Sequence, residues 1–111
     1  MTQTSSETPV LDLLATMTAD SLEMTTLPLS AIMSVRLAAL VATDAPPVSY
    51  ALNLEAADEA GLGVEEIRGI LMAIAPVVGT ARVMTATARI VEAIGIALEV
   101  ATVEMDAAAD R

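Results

Sequence analysis

The chain of 111 residues has room for one domain and a single modest core, and 55% of it is hydrophobic although Tyr50 is its only aromatic residue. Its formal net charge is −10, from 15 acidic groups against 5 basic ones that are all arginine; this excludes the clustered cations that nucleic acid or an anionic membrane surface requires. The absence of cysteine and histidine removes disulfides, thiol chemistry, the commonest zinc ligand and the commonest general base together, so no cofactor and no metal is expected.

A core without rings must be built from Ala, Val, Leu, Ile and Met, side chains that allow close helix–helix approach. A domain of this size hides only about two-thirds of its unfolded surface. One copy is therefore expected to leave a large apolar patch, and burial against further copies is the simplest remedy.

Residues 1–8 are small and polar and are expected to be disordered. They contain neither a basic n-region nor an apolar h-region, so no export signal is read and a cytoplasmic location is expected. Thr8-Pro9 looks like a helix start, and Val10, Leu13, Leu14 and Met17 follow at helical spacing, predicting a helix over 9–24. Thr25-Thr26-Leu27-Pro28 breaks it. A second helix is predicted over 29–43, with Ile32, Met33, Leu37 and Leu40 as its buried stripe.

Asp44 reads as the N-cap of a third helix reaching residue 60, with Val48, Leu52 and Ala56 on one side. Glu55, Asp58 and Glu59 crowd its end, where acid opposes the helix dipole; exposure or an arginine partner is expected. Gly61 is the natural C-cap. Gly63-Val64-Glu65-Glu66 opens a fourth helix whose apolar face is Ile67, Ile70, Leu71 and Ile74. Pro76 should kink or end it, and Gly79 should stop it. Thr80 is read as the cap of a long fifth helix that bends near Gly95 and continues to residue 105, with 106–111 as a frayed tail. The single domain is thus 9–105, all-α, of about five helices. The most apolar stretch, 69–81, lies between Arg68 and Arg82 and falls short of the roughly 18 apolar residues a membrane span needs.

Three segments carry a resemblance. Arg36-Leu37-Ala38-Ala39-Leu40-Val41-Ala42 is an apolar helix, Ala56-Ala57-Asp58-Glu59-Ala60-Gly61-Leu62-Gly63-Val64-Glu65-Glu66-Ile67 is a helix–turn–helix, and Val78-Gly79-Thr80-Ala81-Arg82-Val83 is a turn that opens a last long helix. In order and spacing, residues 27–97 resemble the carboxymuconolactone decarboxylase-like family, which includes the alkylhydroperoxidase D-type proteins. The resemblance implies an all-α fold around a central antiparallel helical hairpin, and assembly as a homotrimer or homohexamer. Its chemistry does not carry over. The family's redox members place a Cys-x-x-Cys pair before a histidine eight residues ahead of the helix-ending glycine. Here those positions hold Pro46, Ser49 and Asn53, and the family's proton-feeding glutamate falls near Ser34. The decarboxylase branch keeps the histidine, whereas Asn53 can orient a substrate but cannot move its proton.

By the same resemblance Ser49, Tyr50 and Asn53 would line the former active site and could bind a small polar ligand; alternatively they satisfy one another or the backbone at a subunit contact. Arg82, beside the Thr80 and Ala81 amides, makes an electropositive spot suited to a small organic acid. The alternative is that Arg36, Arg82 and Arg89 pair across subunits with Glu55, Glu59 or Glu92. Glu65 and Glu66 point about 100° apart on a helix and read as first-turn acids. The seven methionines read as gap-fillers.

Three functions follow as expectations. The first is a homo-oligomeric binding or structural protein with a small-molecule pocket. The second is a non-redox enzyme performing lactone decarboxylation, isomerisation or cyclisation, with Glu55 or Glu59 as acid/base and Asn53 as the orienting group. The third is an unrelated helical interaction module.

Overall fold

The computed structural model describes residues 7–109, and side chains of the fifth helix only as far as Gly95 and at a few positions beyond. The expectation of disorder for 1–8 therefore falls mainly outside the described residues. The chain folds into five helices: α1 (Pro9–Met24), α2 (Leu29–Ala42), α3 (Pro47–Glu59), α4 (Val64–Val78) and α5 (Thr80–Ala109). Among the described residues there is no strand, and no helix is long and apolar enough to cross a membrane.

Pro9 and Pro47 each occupy the first turn of their helix, where the missing N–H costs nothing. The ends of α2 and α3 share one device. At α3, the Leu62 amide donates to the Ala57 carbonyl (2.9 Å) and the Gly61 amide to that of Asp58 (3.0 Å), with Gly61 at φ +84°. At α2, Ala45 donates to Leu40 (3.0 Å) and Asp44 to Val41 (3.2 Å), with Asp44 itself at φ +57°. Both are Schellman closures. Asp44 therefore terminates α2, and the N-cap of α3 is Pro46; the N-cap expected at Asp44 is corrected. Aspartate tolerates the left-handed conformation better than most residues do, and it is held there from outside.

That hold comes from α5. The Arg89 guanidinium donates to the Asp44 carboxylate (2.6 Å), the Asp44 carbonyl (2.8 Å) and the Ala45 carbonyl (3.0 Å). One heptad earlier, Arg82 donates to the Ala42 carbonyl. Two cations thus sit at the negative end of α2: Arg82 satisfies the Ala42 carbonyl that its last turn leaves open, and Arg89 the carbonyls of the turn that follows.

At the other break, Gly79 takes φ +95° and accepts the first α5 bond from Val83 (3.2 Å). Thr80 is consequently the first helical residue and not the cap. Pro76 lies inside α4 without ending it; the carbonyl its missing N–H would have bonded belongs to Met72, which faces solvent. On the far side of the chain, α5 runs through Gly95 to Ala109, beyond the residue 105 expected, carried by alanines of high helix propensity.

The core joins α2, α3 and α5. Leu37, Val41, Ala45, Tyr50, Ala86, Ile90 and Ala93 are buried together, and the predicted α4 face of Ile67, Ile70, Leu71 and Ile74 packs against them. A smaller cluster joins Ile32 and Met33 of α2 to Ala57 and to Leu62 of the α3 closure. On α3 the inward positions are Tyr50, Leu54 and Ala57, while Val48 and Leu52 face outward. Of the apolar side read from the sequence, Val48 and Leu52 are open, while Ala56 packs against the smaller cluster.

Helix α1 contributes no buried residue; Val10 is 68% exposed and Leu13 60%. The radius of gyration is 16.4 Å, where a compact chain of this length gives about 13 Å. The accessible surface is 8057 Å², where a compact chain of 11.4 kDa leaves about 5,800 Å².

If Arg89 holds the α2–α3 turn through carbonyls, Arg89→Met, which keeps the apolar stem, should cost about 2 kcal/mol in urea unfolding. Asp44→Gly gives up one partly exposed ion pair and removes the left-handed strain, so its effect should stay within about 1 kcal/mol. Equal losses in the two variants would place the strength in the carboxylate instead.

Candidate functional site

Helix α1 leans away from the α2–α3 pair and leaves a groove of about 740 Å³ open on one side. This is within the size range of small-molecule sites, roughly 300–1,000 Å³. Its walls are largely aliphatic: Leu14, Met17 and Leu22 come from α1, Met33 and Leu40 from α2, and Leu52 from α3. Leu52, Ala56 and Glu59 line it because they recur at helical spacing on the side of α3 opposite Tyr50.

The polar groups in this groove are few. Thr18 and Ser21 come from α1, Arg36 from α2, and Asn53 and Glu59 from α3. Arg36 is the only cation lining it. Its Nη2 donates to the Ser21 hydroxyl and, at 3.5 Å, to the Thr18 carbonyl, which ties the last turns of α1 to α2 and sets a positive charge beside an apolar wall.

The residues proposed from the sequence are only partly brought together. Asn53 lines the groove, but its amide donates to the Ser49 carbonyl one turn back (2.8 Å); Ser49 itself is half-buried outside the groove. Tyr50 points the other way, into the core, at 1% exposure. Arg82 lies outside the groove on the Ala42 carbonyl. Of the two candidate carboxylates, Glu59 lines the groove and Glu55 is exposed elsewhere. Within the chain none of Arg36, Arg82 and Arg89 pairs with Glu55, Glu59 or Glu92; the ion pairs among the described residues are Arg89–Asp44 and the solvent-facing Arg68–Glu65 at 2.9 Å. Glu66 accepts from the Gly63 amide at 2.8 Å, the reciprocal arm of a capping box.

Thr18 and Ser21 were not anticipated. The signal for them is Ser21 standing within the apolar stripe of α1, with Thr18 at its edge, matched by Arg36 interrupting the stripe of α2. Among the described residues no cluster of three or more acidic side chains could hold a metal ion.

Comparison with family models, with curated proteins and with solved structures returns no match for this chain.

The Tyr50 hydroxyl is pushed above its ordinary value of 10.0, chiefly by burial; Arg89 opposes the shift and Asp44 adds to it. Because the folded state holds the phenolic proton more tightly than the unfolded chain, Tyr50 contributes stability that is complete below about pH 10 and is lost as pH rises through the raised value. Without histidine, cysteine or lysine, no other side chain has its ordinary pKa between about 5 and 12. Stability should therefore fall above pH 10 in step with tyrosinate absorbance, and Tyr50→Phe should flatten that fall. An unchanged alkaline limb in the phenylalanine variant would show that Tyr50 is not its source.

Proposed function

We propose that this chain is a homo-oligomeric, carboxymuconolactone decarboxylase-like protein, built on a central antiparallel helical hairpin, that has no redox or histidine chemistry. It serves as a binding or structural subunit whose groove takes a small organic acid with an aliphatic body. The observation that carries this reading is the groove itself: a largely aliphatic space of about 740 Å³ with one cation, Arg36, at its wall. Aliphatic walls supply affinity in proportion to the area covered, and a guanidinium orients a carboxylate through paired N–H donors. Self-association is supported by the apolar side chains of α1, of which Val10, Leu11, Leu13 and Met17 are each more than half exposed. Trimeric or hexameric assembly and a cytoplasmic setting belong to the same proposal.

A second reading, a non-redox lactone decarboxylase, isomerase or cyclase, is favoured by one contact of place: Glu59 and Asn53 line the same groove. Glu59 would carry the proton and Asn53 would orient the substrate; Glu55, one turn earlier on α3, does not line the groove.

Native mass spectrometry should find three or six copies per particle at micromolar concentration. Calorimetric titration with medium-chain carboxylic acids should give saturable binding that Arg36→Gln weakens about tenfold or more. Hydroperoxide should not be consumed. A chain that runs as single copies, or one that turns over hydroperoxide, contradicts the proposal; turnover of a lactone that Glu59→Gln abolishes selects the enzymatic reading.

A further inference from the structure

The charged side chains that line the α1 groove are Arg36 of α2 and Glu59 of α3, of opposite sign. They do not pair with each other, and among the described residues no hydrogen bond or ion pair engages the Glu59 carboxylate. Arg36 is drawn towards α1 by Ser21 and Thr18, whereas Glu59 ends α3. The clusters beneath them fix their levels. Met33 belongs with Ala57 in one cluster, and Leu37 with Tyr50 in the other. Arg36 therefore stands three residues from Met33 towards the Tyr50 level, and Glu59 two residues from Ala57 on the other side. At 1.5 Å per residue their backbone positions are offset by about 7 Å along the helices.

We propose that the groove takes a zwitterion: an aliphatic chain with a carboxylate at one end for Arg36 and an ammonium at the other for Glu59. This rests on the organic-acid reading above and deepens it by naming the second charge and where the ligand carries it.

Charge separates the ligand classes. A simple carboxylate finds donors on Arg36 but leaves Glu59 as a like charge in the same groove, and it approaches a chain whose net charge is −10. A simple amine is drawn to that chain and then meets Arg36. A zwitterion carries no net charge to be repelled and complements both walls. Spacing then decides where the ammonium sits. In an α-amino acid both charged groups hang from one carbon, too close together to serve walls offset by more than a turn of helix. With the ammonium at the far end, the methylenes lie between the charges, where Met33 and Ala56 line the groove.

The isomers 6-aminohexanoate and 2-aminohexanoate have the same composition and differ in where the ammonium is placed. Binding can be read by NMR titration of methionine methyl groups, because Met17 and Met33 line the groove while Met72 and Met84, exposed on α4 and α5, do not. The first isomer should shift Met17 and Met33, leave Met72 and Met84 unmoved, and bind at least about threefold more tightly than either the second isomer or hexanoate. Glu59→Gln should remove that preference, weakening 6-aminohexanoate about threefold and strengthening hexanoate, since it abolishes an attraction for one and a repulsion for the other. A purely structural role for Glu59 would move both affinities the same way. Hexanoate or 2-aminohexanoate binding as tightly as 6-aminohexanoate, or Glu59→Gln moving the two affinities alike, overturns this inference and leaves the organic-acid reading standing. If none of the three compounds shifts Met17 and Met33 up to its solubility limit, both fall.

Discussion

Aliphatic side chains let helices approach closely, and this chain has almost nothing else to pack with. Tyr50 is its one aromatic filler, buried in a single cluster with Leu37 and Val41 of α2 and Ala86 and Ala93 of α5. With the interior satisfied by four helices around one phenol, α1 has no place in it. The exposed first helix and the adjacent groove are two results of the same shortage.

The groove owes its polarity to the same geometry. Positions on α3 that face away from Tyr50 become its wall, which brings Asn53 and Glu59 to the side where α1 leans. Arg36 then does two things with one guanidinium: it anchors α1 through Ser21 and Thr18, and it sets the only positive charge beside the aliphatic surface. A ligand acid and the first helix would draw on the same donors, which links occupancy of the groove to the angle of α1.

Most of the helix plan was legible in the sequence because its punctuation is local. Pro9, Pro28, Pro47, Gly61 and Gly79 act on the backbone within a few residues of themselves, and the structure breaks at or beside each. What the sequence concealed depends on contacts far along the chain. Asp44 looks like an N-cap when only its own neighbourhood is read; its left-handed backbone becomes intelligible once Arg89 is beside it. The inward face of α3 was hidden for a similar reason. Val48, Leu52 and Ala56 form as regular a stripe as Tyr50, Leu54 and Ala57, and periodicity alone cannot say which one the other helices will cover. The candidate site suffered most, since Ser49, Tyr50 and Asn53 lie within two turns of one helix yet point to different surroundings.

Arg82 and Arg89 reach back 40 and 45 residues to hold the end of α2. A chain emerging from the ribosome leaves that end bare until the first third of α5 follows it out, and closing a loop of about 40 residues costs on the order of 3 kcal/mol before any packing returns it. The nascent chain thus settles late, and its first helix, synthesised before everything else and contributing no buried residue, spends that interval with no core to lean on.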